Sequence, residues 1–218
     1  MISCCKATAR HRRCKRAQDG KVFRLPRRFT LKRCRKGVRG FTMRSSCAPY
    51  AGCKQTGGAR KAMRAVCVLD MNGINGTVHF SQRTAQARVK VEYRIKGLSA
   101  GQHGFHIHQY GDMTEGCKSA CAHFNPNGCV HGGPRSAPDK RHAGDLGNVT
   151  SRGGLAKGSL TVPGISLDPR SRLSIIGRCV VLHKDRDDLG KGGDAESLKT
   201  GNAGARVACA VIGLAKQC

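Results

Sequence analysis

An all-β sandwich or barrel of eight strands is predicted for residues 65–218, behind a basic leader expected to be disordered. Three observations predict it. Short alternating or β-branched runs recur along this stretch, turn residues such as Met71-Asn72-Gly73 and Lys96-Gly97-Leu98 separate them, and no segment sustains a helical period. The first run, Val66–Leu69, is apolar, and Gly76–Ser81 follows it across the first turn. Val89–Ile95 then alternates apolar and charged residues, the pattern of a strand with one face buried. Gly104–His108, Gly144–Val149 and Leu155–Thr161 come next; Cys179–His183 is a continuous apolar run ending in histidine, and Ala205–Val211 is the last. Long Gly-rich connections after His108 and after His183 are read as two loops that carry the chemistry. At 154 residues this region is long enough to bury about 70% of its unfolded surface in one core.

The leader, residues 1–64, is a different material. It holds 20 of the 40 Lys and Arg residues and a single acid, Asp19, so it carries +19 of the +27 formal charge. Only eight of its residues are Leu, Ile, Val or Phe, too few for a core. Its six cysteines, Cys4, Cys5, Cys14, Cys34, Cys47 and Cys53, show neither paired zinc-finger spacing nor Cys-x-x-Cys. No apolar stretch near the start reads as a secretory signal. An Arg-rich, acid-poor segment is compatible with an organelle transit peptide, with a polyanion-binding arm, or with sequence absent from the mature product, which is expected to begin near Met63.

Six histidines and an aspartate stand out as metal ligands. On a strand, residues two apart share a face, so His106 and His108 project together while Phe105 and Ile107 enter the apolar side. His123 and His131 lie in a Gly-, Pro- and Asn-rich stretch, hence on a loop, and His142 and Asp145 are three apart. Three imidazoles and one carboxylate suit a four-coordinate zinc. The group His106, His108 and His183, all nitrogen, better suits copper. His11 and His79 have no companions and read as structural or solvated; His103 is out of register with His106 and His108 and reads as a packing residue or a support for the ligands.

From about Ala65 onward the chain resembles the copper/zinc superoxide dismutases. The matching motifs include Gly104-Phe105-His106-Ile107-His108, His123-Phe124-Asn125-Pro126, His131-Gly132-Gly133-Pro134, His142-Ala143-Gly144-Asp145-Leu146-Gly147-Asn148, Asp187-Asp188-Leu189-Gly190-Lys191-Gly192-Gly193 and Thr200-Gly201-Asn202-Ala203-Gly204. The resemblance implies an eight-stranded Greek-key, immunoglobulin-like barrel with copper held by His106, His108, His123 and His183, and zinc held by His123, His131, His142 and Asp145. It implies that His123 bridges the two metals and that Asp187 accepts hydrogen bonds from histidines of both sites. The implied reaction turns two superoxide anions into dioxygen and hydrogen peroxide by alternate reduction and reoxidation of copper.

Taken alone, Arg206 reads as an ordinary surface arginine at a strand start; the resemblance makes it the residue that guides the anion to copper. Lys199 and Glu196 fall in the matching charged loop, where Asp194-Ala195-Glu196 stands in place of the adjacent glutamate pair of many family members. The resemblance also pairs Cys117 with Cys209, and implies a homodimer through residues such as Ile176 and Leu214, a copper chaperone for loading, and a cytoplasmic home unless the leader is a transit peptide. Cys121 and Cys129 are expected to be free thiols or a loop staple, and Cys67 and Cys179 small core residues. No specific nucleic-acid or membrane partner is expected. The runner-up reading, a copper chaperone or a metal-binding barrel without turnover, is opposed by the absence of a leading Met-x-Cys-x-x-Cys and by retention of every ligand and Arg206. The sequons at Asn75 and Asn148 receive no role.

Overall fold

Where composition predicts a featureless leader, the computed structural model has short regular elements. The structure describes residues 1–216 apart from 9, 17, 35–37, 39, 51, 52 and 54–61. Within the first of two units, Met1–Ala59, β1 (Arg13–Lys15) pairs antiparallel with β2 (Val22–Arg24), followed by α1 (Leu31–Cys34) and α2 (Phe41–Cys47). Disulfides join Cys4 to Cys14, Cys5 to Cys53 and Cys34 to Cys47. Covalent cross-links do here what the few apolar residues cannot, as in other small domains without a sufficient core. Spacing alone could not give this pairing, since six cysteines allow about 15 connectivities.

The second unit, Arg60–Cys218, holds the predicted strands. They are β3 (Met63–Met71), β4 (Ile74–Gln82), β5 (Val89–Lys96), β6 (Gly101–His108), β7 (Asp145–Arg152), β8 (Leu155–Val162), β9 (Cys179–His183) and β10 (Arg206–Val211), with a one-turn helix α3 (Ser197–Thr200) before β10. A two-residue strand, β11 (Gly213–Leu214), is too short for any periodicity to reveal and pairs with Ala65 and Val66. The antiparallel order is β10-β9-β6-β7-β8-β5-β4-β3-β11. Because β5 neighbours β8 and β6 neighbours β9, the chain crosses over between strands that are not hydrogen-bonded to each other, a Greek-key feature. Asn72 Nδ2, in the turn after β3, donates to Val207 O of the edge strand β10 at 3.0 Å, so that the sheet nearly closes. No described helix is long and apolar enough to cross a membrane.

Alternation sets the core. In β3, Ala65, Cys67 and Leu69 are buried while Val68 points outward. In β6 the alternation gives way to burial on both sides from Gly104 to His108: Phe105 and Ile107 enter the barrel core, and His106 and His108 lie under the long loops. Register irregularities interrupt β6 between Gly104 and His106 and β10 between Arg206 and Ala208. Both adjoin residues of the predicted site, where such breaks re-aim side chains.

Candidate metal centre

Two groups of four ligands form and share one residue. One ligand atom from each of His106, His108, His123 and His183 lies within 4.8 Å of the others, and the same holds for His123, His131, His142 and Asp145. All seven residues are buried. Every member of both groups is a candidate ligand already legible in the sequence.

Proton assignment from the hydrogen bonds decides whether these atoms suit metals. His108 Nδ1 donates to Cys121 O at 2.7 Å and His183 Nδ1 to Gly204 O at 3.0 Å. Each ring then keeps a lone pair on Nε2, and those two nitrogens face each other at 3.4 Å with no proton between them. His106 Nε2 donates to Asp187 Oδ2 at 2.9 Å, which leaves Nδ1 as a buried lone pair without a partner. His123 Nε2 is likewise buried and unpartnered. Four converging lone pairs with nothing to bond repel one another and cost desolvation unless a cation sits among them. The residues fit a copper ion.

The second group converges on one oxygen. Asp145 Oδ1 lies 2.9 Å from His123 Nδ1, 3.0 Å from His131 Nδ1 and 3.1 Å from His142 Nδ1. Its other oxygen is occupied, accepting the backbone N–H groups of Gly132 at 3.0 Å and His142 at 2.8 Å. His131 Nε2 donates to Asp187 Oδ1 at 2.8 Å, so its Nδ1 also keeps a lone pair, buried and without a hydrogen bond. Tetrahedral zinc with bonds of about 2.1 Å spaces its ligands about 3.4 Å apart, a few tenths of an ångström wider than these separations.

Asp187 behaves as the family pattern implies, one oxygen to a histidine of each group. It is itself clamped: Asn148 Nδ2 donates to Asp187 O at 2.8 Å and Asp187 N–H donates to Asn148 Oδ1 at 2.8 Å. Gly201 is required beside it, with φ +71° and an added Cβ only 2.0 Å from Asp187 Oδ1 and 2.4 Å from His131 Nε2. Arg141, a charged residue 1% exposed, donates to the carbonyls of His142 at 2.9 Å, Asp145 at 3.1 Å and Pro163 at 2.5 Å, holding the turn that carries two ligands. The sequence reading missed Asn148, Gly201 and Arg141 as supports; only their place inside matching motifs or beside them hinted at a role. The His103 ring lies between the carbonyls of His183 and Ser99, each at 3.0 Å, and so steadies the strand end carrying His183 without joining the ligands.

Burial, with neighbouring rings adding to it, pushes His106 down to about 3 and His183 to about 4, which keeps both neutral and ready to ligate. Burial works against charge at His131 too, but in the metal-free chain the carboxylates of Asp145 and Asp187 win and raise it to about 9, so zinc would have to displace a proton from this ring to use its Nδ1.

A cavity of ≈ 450 Å³ opens over the all-nitrogen group, lined by His108, His123, His183, Lys199, Glu196 and Arg206 among others. Arg206 is held by carbonyls: Nη1 donates to Cys117 O and Nη2 to Cys121 O, each at 2.6 Å. Cys117 is in turn bonded to Cys209, the predicted disulfide, which ties the segment bearing those carbonyls to β10. Asp194 does not line the cavity; its carboxylate accepts from the Ser197 N–H and Asn202 Nδ2. Cys121 and Cys129 are free thiols, as are the buried Cys67 and Cys179. Cys218 lies outside the described residues.

Comparison with known proteins agrees with this geometry. Residues 74–212 match the family described as copper/zinc superoxide dismutase (SODC). The chain is 56% identical over 152 residues to superoxide dismutase [Cu-Zn] A of Xenopus laevis, covering 69% of this chain and 97% of the relative. It is 51% identical over 159 residues to superoxide dismutase [Cu-Zn] of Paramecium bursaria Chlorella virus 1, covering 72% of this chain and 81% of the relative. The enzyme of that name from Kluyveromyces lactis is 52% identical over 155 residues, 70% of this chain and 97% of the relative. Since the matched span contains both ligand groups, Arg206 and both sulfurs of its anchoring disulfide, the chain belongs to the copper/zinc superoxide dismutases, oxidoreductases that bind one-electron-active copper beside zinc.

Proposed function

We propose that His106, His108, His123 and His183 hold copper, that His123, His131, His142 and Asp145 hold zinc, and that superoxide is disproportionated to dioxygen and hydrogen peroxide above His123. The observation that carries this assignment is the shared ring of His123, whose Nδ1 faces Asp145 while its buried Nε2 has no partner on the other side. Copper, when bound, supplies the one-electron exchange, and zinc, having no accessible redox change, orients the bridge. Arg206 supplies permanent positive charge at the cavity and, anchored by carbonyls, stays there. Lys199 adds a second cation to the wall against the single carboxylate of Glu196. While its Nε2 is free of metal, His123 is a base in the cavity wall able to take up and return one of the protons peroxide needs.

The test is metal content and superoxide consumption on the purified full chain. One copper and one zinc per chain with rapid consumption is expected. Copper bound without consumption would favour the runner-up, a copper-carrying or metal-binding barrel without turnover.

The same proposal includes a homodimer. Val68, Val211 and Leu214 are 62%, 41% and 67% exposed on neighbouring strands, and Ile176 is half-buried, an apolar surface suited to a second copy. Sedimentation at twice the chain mass supports it. Ligands this buried favour copper delivered by a chaperone protein rather than taken from solution. We assign the barrel to the cytoplasm, as residues 65–218 in a product beginning near Met63. A product that keeps the leader would belong in an oxidising compartment, because three disulfides cross-link its described residues. Intact mass of the natural protein distinguishes the two.

A further inference from the structure

Five sulfur side chains meet away from the histidine cluster, and three of them have no part in the mechanism. Met71 Sδ lies 3.6 Å from Cys117 Sγ, and Met113 Sδ lies 3.6 Å from both Cys209 Sγ and Cys179 Sγ. Strand pairing explains the gathering. Cys209 stands opposite Val181 in the β9–β10 register, so Cys179, two residues earlier, projects from the same face of the sheet. Cys179 and Cys209 are buried, whereas Met71 and Met113 are half-buried and give solvent a route to the cluster.

These residues pack with Ala120 and Val181 in one small apolar cluster, and within it the sulfurs touch in sequence from Met71 through Cys117, Cys209 and Met113 to Cys179. A metal with sulfur bonds of about 2.3 Å in a tetrahedral cage sets its sulfurs about 3.8 Å apart. The spacing around Met113 is within a few tenths of an ångström of that. Mixed thiolate and thioether donors select a soft ion, copper(I) among biological metals. While Cys117 and Cys209 are bonded to each other, their sulfurs are spent. Reduction turns the cluster into three thiols and two thioethers.

We propose that, once the Cys117–Cys209 disulfide is reduced, Met113, Cys179 and Cys209 form a binding site for a soft monovalent metal ion, with Cys117 and Met71 at its edge, and that metal and disulfide exclude each other. The site stands independently of the histidine assignments. Reduction by a water-soluble phosphine breaks the S–S bond; phosphorus takes the oxygen of one water to become the phosphine oxide, and the two hydrogens end on the two sulfurs. Metal entry then displaces the protons of the ligating thiols. An occupied site would leave the segment Gly116–Ala120 untethered from β10, so the carbonyl of Cys117 would no longer be pinned under Arg206.

Silver(I), closed-shell and resistant to air, is the probe. The full chain, loaded with copper and zinc and carrying ¹³C-methyl methionine, has five methionines, so Met113 can be followed by itself. After phosphine reduction, silver should move the Met113 methyl signal, leave it unmoved in the oxidised chain at the same concentration, and bind about tenfold more weakly or worse in Cys179→Ser. A Met113 signal unmoved in the reduced chain, or moved equally in the oxidised one, overturns the proposal. As a second arm, silver should slow re-formation of the Cys117–Cys209 disulfide, read by peptide mass, in the native chain but not in Met113→Leu, a volume-conserving change that keeps the fold. Equal slowing in both overturns it as well.

Discussion

The two halves of the metal centre are built from different materials. His106, His108 and His183 stand on β6 and β9, adjacent strands of the barrel wall, so the all-nitrogen half inherits its geometry from sheet register. His131, His142 and Asp145 come from the loop and from the first residue of β7, and they are positioned by polar contacts: Asp187 on His131, Arg141 on the turn of His142, backbone N–H groups on Asp145. A strand-borne group is rigid because the core behind it is packed. A loop-borne group is only as rigid as the hydrogen bonds around it. His123, joined to β6 through an isolated bridge with His108, belongs to both halves.

That contrast can be broken most decisively at His123. Changing His123→Ala should lower copper and zinc affinity together, each by a factor of about 100 or more, since loss of even a supporting partner costs a site 10–100-fold. Metal analysis showing one ion fully retained would mean that the halves are independent.

Asp187→Asn should separate them. The neutral amide accepts only one of the two histidine N–H bonds, and His131 has no rigid strand behind it, so zinc affinity should fall by about 10- to 100-fold while copper falls less. Equal loss in competitive chelation would show that strand placement confers no protection. Gly201→Ala attacks the same half through the backbone. Displacing Asp187 and holding an L side chain at φ +71° should cost about 2–4 kcal/mol, seen as a lower Tm with early zinc release. An unchanged Tm would show that the loop yields easily.

The smallest expected effect concerns the cavity mouth. Lys199 and Arg206 face a single lining carboxylate, Glu196, because Asp194 is turned toward Ser197 and Asn202. Superoxide consumption should therefore drop several-fold between low and high ionic strength, as screening shortens the reach of these charges to about 3 Å at 1 M salt. A flat profile would remove steering from the account.

Much of this was legible in residue order, and the exceptions share a cause. The eight long strands follow from period-two patterning, and the ligands from residue types whose chemistry has few other uses in one motif set. Arg141 was invisible because an arginine in sequence looks like surface, and only the carbonyls of His142, Asp145 and Pro163 make its burial tolerable. Asn148 was read as a sequon without a role, yet its amide clamps the backbone of Asp187 from 39 residues away. The leader's ribbon, helices and cross-links escaped a reading based on hydrophobic content, since disulfides do not show in hydropathy.

Sequence by itself determined which groups were available: period-two strands, six candidate ligands beside His123, an arginine near them, and cysteines in number. Tertiary structure alone decided which nitrogen of each ring keeps its lone pair, because that depends on a carbonyl or carboxylate brought from elsewhere in the chain. It also brought Met71 and Met113 to the disulfide and Cys179 to Met113, so that sulfurs up to 138 residues apart in the chain meet in one cluster. Ligand identity is a local property of residues, whereas protonation and grouping are properties of distance, and distance is set only when the barrel closes.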